Sequence, residues 1–213
     1  MQELENKLSN AWSVISHLNG VMNNDDLRKV YKNCLEKLTE YSTEVSQNSA
    51  LCEAYKKLAA RDDFHNLSES QRKSIENILR DFRLGGVDLP EDKKKRYAEL
   101  SRELAELSNK FSDNVLDATQ HWYKHITDVD ELSGLPETAI EGARQAARQK
   151  ELDGYVITLD FPSFYPVMTY GDNRSLRREV YEAFVTRASD QGPDAAKWDN
   201  TPVMAEILKR RHA

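Results

Sequence analysis

Cysteine is scarce in this 213-residue chain: Cys34 and Cys52 are the only two. Both fall inside helical patterns, which gives neither a disulfide framework nor a zinc knuckle, and a reducing cytoplasmic setting is the simplest expectation. Eight glycines and six prolines leave long stretches with nothing to interrupt a helix. No apolar run reaches membrane-spanning length, and the N-terminus lacks the charged, apolar and small-residue zones of a secretory leader, so no membrane partner is expected. Positive charge is in deficit too. The balance of 30 Lys and Arg against 36 Asp and Glu, net −6, argues against nucleic acid as a partner. G-x-S-x-G, G-x-G-x-x-G and G-x-x-x-x-G-K are all missing, so no nucleophile elbow or phosphate cradle is indicated.

What is present is helical. Met1 leads straight into an apolar stripe of Leu4, Leu8, Trp12, Ile15 and Leu18. A second helix is predicted from Asp25 or Asp26, with Leu27, Val30, Tyr31, Cys34, Leu35, Leu38, Tyr41 and Val45 at steps of three and four. A shorter one carries Leu51, Tyr55 and Leu58. Ser68 with Gln71 fits a capping box opening a helix of Ile75, Ile78, Leu79 and Phe82, which Gly85-Gly86 closes. Pro90 is expected to start the longest helix, running to about Thr119 on a seam of Tyr97, Leu100, Leu104, Leu107 and Phe111.

The character then changes. His121–Thr127 and Tyr155–Asp160 are aromatic and β-branched, each of strand length, and read as a small strand pair joined by a helix from about Pro136 to Lys150. Phe161-Pro162-Ser163-Phe164-Tyr165-Pro166 is expected not to be a regular helix, because its prolines restrict the residues before them as well. A last helix should begin with Thr201 as N-cap and Pro202 as its first residue, with a stripe of Val203, Met204, Ile207 and Leu208. No repeat or low-complexity linker divides residues 1–213, which read as one helical region of mainly α class with a two-stranded β element. Neither end carries a stop signal, so both are expected to be cut from a longer polypeptide.

Chemistry is hard to place. His121 and His125 have the H-x-x-x-H spacing of a zinc-protease helix, but the residue after the first histidine is Trp122, not the glutamate that serves as base. Residues four apart lie about 6 Å apart on a helix and roughly 13 Å apart on a strand, where they do not share a metal. These two therefore read as partly exposed structural histidines. His17, His65 and His212 stand alone, without a carboxylate or cysteine at ligand spacing. The basic run Lys93-Lys94-Lys95-Arg96 reads as a solvated helix face, while Lys209-Arg210-Arg211-His212 lies on the last helix where it is cut off, and its exposure is attributed to the cut. The aromatic cluster Phe161–Tyr170 is read first as a packed turn, with a peptide groove as the alternative. No catalytic, metal or substrate-binding residue is assigned.

Several runs carry a family resemblance. Pro162–Tyr170, Asn173–Glu179, Thr186–Pro193 and Trp198-Asp199-Asn200 followed by Ile207-Leu208 resemble the M3 family of zinc oligopeptidases. Upstream, Ser16–Asn19, Leu79–Phe82 and Asn114–Thr119 fit the same family in the same order. The resemblance implies a mostly helical protein whose two lobes flank a narrow channel admitting short peptides. It also implies zinc held by an H-E-x-x-H helix and a downstream glutamate, none of which this sequence contains. The chain is then expected to be most of an N-terminal lobe, inactive by itself and without zinc of its own. Its partners would be the missing catalytic lobe and the short peptides of the parent, and its exposed lobe interface would promote self-association. The alternative is a self-standing helical module that binds peptides or a protein partner.

Overall fold

A computed structural model describes residues 2–213. Among them the chain is mainly α, with one two-stranded antiparallel sheet. It divides into two compact units, one ending at Asn109 and the other spanning Lys110–Ala213.

The first unit holds α1 (Gln2–Val21), α2 (Asp25–Ser46), α3 (Ser49–Ala59), α4 (Glu69–Leu84) and most of α5 (Glu91–His121). Side-chain caps set three of the starts. Asn24 accepts from the Leu27 N–H, Asn48 accepts from the Leu51 N–H, and Ser68 with Gln71 forms the predicted capping box. Gly85 ends α4 as predicted. The buried core of this unit is small: Cys52, Phe82 and Val87 cluster with Leu51, Tyr55, Ile78 and Leu79 between α3 and α4. Trp12 and Tyr31 stack at 4.6 Å to join α1 to α2. Along α1, however, Leu4, Leu8, Ile15, Leu18 and Val21 remain exposed.

The second unit buries far more. Strands β1 (Tyr123–Ile126) and β2 (Tyr155–Thr158) pair antiparallel with Tyr123 opposite Thr158 and Ile126 opposite Tyr155. Around them lie α6 (Glu137–Gln149), α7 (Phe161–Tyr170), α8 (Arg174–Thr186) and α9 (Thr201–His212). Ile126, Leu132, Ile157, Leu159, Val167 and Val180 fill a common core. The strand pair and the helix joining its strands match the sequence reading.

Three expectations need correction. First, α5 runs on to His121 and β1 starts only at Tyr123, so His121 is helical and just His125 lies on the strand. Second, Phe161–Tyr170 is a helix despite its prolines. Pro162 sits in the first turn, where an N–H has no intrahelical partner anyway. Pro166 deletes a single backbone bond, and burial of Val167, Phe164 and Met168 against the core outweighs that loss. Third, α9 is capped by Asn200 rather than Thr201, and the Asn200 side chain makes no capping bond. It is 3% exposed and turned inward. Its Nδ2 donates to the Phe111 carbonyl at 3.0 Å, and its Oδ1 accepts from Asn114 Nδ2 at 2.8 Å.

Candidate peptide-contact surface

The aromatic run at the start of α7 divides by helical phase. Phe164 turns inward and stacks face to face on Phe184 of α8, with centroids 3.9 Å apart at 17°. Phe161 and Tyr165, one turn apart, point outward and stack on each other at 5.2 Å and 25°. Phe161 is 66% exposed and Tyr165 47%. Tyr170 at the end of the helix is exposed as well. Two large rings held together in solvent, on a helix whose other face is core, offer a rigid apolar platform with a phenolic hydroxyl at its edge. The Thr158 N–H donates to Ser163 Oγ at 2.9 Å, which ties the first turn of α7 to the end of β2. The sequence suggests a packed turn for these aromatics, which does not separate an inner from an outer face.

The histidines do not come together. His121 Nε2 lies 3.2 Å from Lys197 Nζ and 3.9 Å from Asp194 Oδ1, with Trp198 edge-on at 5.0 Å. His125 Nε2 instead meets the Asp153 carbonyl at 2.5 Å. His17, His65 and His212 are exposed and apart from one another in the chain. Zinc does not fit the residues present, since among the described residues no three His, Cys, Asp or Glu side chains converge as ligands. Cys52 is buried in the α3–α4 core and Cys34 is half-buried on α2.

The basic runs are engaged along their own helices. Lys94 pairs with Glu91 at 3.3 Å, and Arg96 with Glu99 at 3.1 Å. Lys209 and Arg210 both face Glu206. The first run is a largely solvated face, as expected, except that Lys94 keeps only 15% of its side chain exposed. Among the described residues no helix is long and apolar enough to cross a membrane.

Residues 1–94 match the family model Neurolysin/Thimet oligopeptidase, N-terminal domain. Across its whole length the chain is 51% identical to oligopeptidase A of Salmonella typhimurium, over 212 residues that make up 31% of that protein. It is 50% identical to oligopeptidase A of Escherichia coli with the same coverage. Identity is 34% to the probable cytosolic oligopeptidase A of Arabidopsis thaliana, over 99% of this chain and 30% of that protein. The chain is a relative of the thimet-type oligopeptidases. It corresponds to an N-terminal portion of them and spans about a third of the length of these relatives. The resemblance seen in the sequence motifs thus holds along the whole chain.

Proposed function

We propose that this chain is the N-terminal scaffold of a zinc-dependent, cytoplasmic oligopeptidase, supplying one wall of the channel through which short peptides reach the catalytic lobe. The observation that carries this reading is an overall identity of about one half with oligopeptidase A across 212 residues of the chain. The composition agrees, being helical, acidic and without the motifs of any other chemistry. All 213 residues act together in this role, and the catalytic lobe is their principal partner.

By itself the chain is inactive toward peptides. Metal-assisted hydrolysis needs a cation to polarise the carbonyl and a base to activate water, and this sequence has no H-E-x-x-H to provide them. The outward Phe161–Tyr165 pair is the part of the chain best suited to touch a peptide.

The test has two arms. The purified chain, supplied with zinc and a short fluorogenic peptide, should show no metal-dependent cleavage. Grafted in place of the corresponding segment of the Salmonella enzyme, it should give a chimera that cleaves the same peptide. Metal-dependent turnover by the chain alone, or a folded chimera without activity, overturns the reading.

A further inference from the structure

Arg187 closes α8 as its C-cap residue. It lies within Thr186–Pro193, one of the runs that carry the family resemblance. Its guanidinium sits over Phe184, with Cζ 3.8 Å from the ring centroid, and Nη1 donates to the Phe184 carbonyl at 3.3 Å. Phe184 is itself stacked on Phe164, and both rings pack against the core. The cation is therefore mounted on a rigid aromatic support. Beside it is a cavity of about 10 Å³ whose walls include Trp122, Leu159 and Pro193.

The charge of Arg187 has no counter-charge among the described residues. Burial pushes its guanidinium down, against the charged form. Arg178 and Arg61 are pushed the other way, by hydrogen bonds to Glu182 and Asp63. Glu182 is thus already engaged. Asp194 stands in the wall of the same cavity, but its Oδ1 faces His121 Nε2, where Lys197 Nζ also lies close. A guanidinium has five N–H donors in a planar fork, and Arg187 uses one of them on the Phe184 carbonyl. The remaining donors of this half-buried cation are given no acceptor among the described residues, so an anion from outside can complete it.

We propose that Arg187 is a carboxylate-binding site that holds one acidic group of a short peptide on the free edge of its guanidinium. This rests on the reading of the chain as a peptide-handling scaffold and assigns it a specific anchor. The fork matches the two oxygens of a carboxylate. Because the support is rigid, binding orders little that is not already ordered.

The side-chain Nε–Hε resonance of Arg187 reads this directly by NMR on the 213-residue chain. Three probes are used: trialanine as the free acid, trialanine amide, and N-acetyl-glutamyl-alanine amide. A saturable shift with a dissociation constant on the order of 1–10 mM is expected for the probes that carry a carboxylate, and none for trialanine amide. Comparing the free acid with the glutamyl probe tells whether an α-carboxylate or an acidic side chain is preferred. Arg187→Gln should abolish the response seen at neighbouring backbone amides. Arg187→Lys keeps the charge without the fork and should weaken it several-fold. Equal shifts with acid and amide overturn the anchor while leaving peptide contact intact. No shift up to about 20 mM overturns it as well. So does Asp194→Asn if that change alone moves the Arg187 resonance as far as saturating peptide, since the partner is then internal.

Discussion

Asn114 Nδ2 donates to Asn200 Oδ1 at 2.8 Å, joining residues 86 positions apart in the chain. Asn200 spends its amide nitrogen on the Phe111 carbonyl, so both ends of a nearly inaccessible side chain bind α5 rather than the helix it precedes. Asn200→Ala removes both bonds and leaves Asn114 without its partner. The expected cost is about 1–3 kcal/mol, seen as a lower urea midpoint at unchanged slope. Asn200→Ser separates the two roles an asparagine can play here, because serine is an equally good N-cap. It should be about as destabilised as the alanine variant. A near-wild-type Asn200→Ser would show that capping, not the link to α5, is what this residue contributes.

The two aromatic stacks of α7 should respond oppositely to truncation. Phe184→Ala removes the ring that packs against Phe164 and supports Arg187, and should lower stability by on the order of 2–4 kcal/mol. The outer pair is a surface feature. Phe161→Ala with Tyr165→Ala should leave the denaturation midpoint within about 0.5 kcal/mol of the parent. In the active chimera the same double change should raise KM for a short peptide with little effect on kcat. An unchanged KM would remove the pair from the peptide surface.

Much of this architecture is legible in the sequence, for identifiable reasons. Helices α2 to α5 follow from apolar steps of three and four and from caps such as Ser68 with Gln71, which act within one turn. The strand pair is visible because β-branched and aromatic residues concentrate in two runs flanking a helical one. The failures are where tertiary contacts override a local rule. Pro166 reads as a breaker, but its cost of about 3 kcal/mol is offset by the joint burial of Phe164, Val167 and Met168. Asn200 reads as unremarkable because its partners lie far upstream. The outer aromatic pair and the unpaired state of Arg187 are spatial facts without a local signature. The resemblance to a family is available from short motifs, and it points to the oligopeptidases without assigning any residue a role.

Gly154 leads into β2 with φ of 86°, and a Cβ there would overlap the Ile126 carbonyl at the end of β1. That carbonyl is backbone in a paired strand, so it has no side-chain freedom with which to yield. Gly154→Ala should therefore destabilise the second unit by about 1–3 kcal/mol through both strain and overlap. Gly142 lies within α6 with open space around it. Gly142→Ala should raise stability by roughly 0.5–1 kcal/mol through helix propensity alone. Thermal unfolding of the pair checks both signs, and a neutral Gly154→Ala would contradict the described turn.

Acid should loosen the last turn of α9. A hydrogen bond from Arg210, followed by the nearby charge of Lys209, holds the Glu206 carboxyl below its ordinary value of 4.5. A folded-state value below the unfolded one stabilises the helix above the unfolded value. That contribution fades as pH falls through the lower, folded one. The group is solvent-exposed, so the effect is local and small. Carbon-detected NMR titration of Glu206 should give a midpoint below 4.5, moving upward in Arg210→Gln. A midpoint that ignores the Arg210 change would dismiss the pairing.

The apolar residues of α1 predict how the chain behaves alone. Leu4 is 71% exposed and Leu8 42%, while Ile15 and Leu18 continue the same side of the helix. An apolar stripe of this length left in water favours burial against another surface, and in the proposed parent that surface belongs to the same polypeptide. Without it the stripe meets a second copy, so light scattering should show a mass that rises with concentration. Leu8→Glu with Ile15→Glu places two charges on the stripe and should restore the monomer mass. Because both positions already face solvent, helix content should stay unchanged. A monodisperse monomer for the unsubstituted chain would mean that the stripe is too weak to drive association, and would favour the self-standing module over the lobe of a larger enzyme.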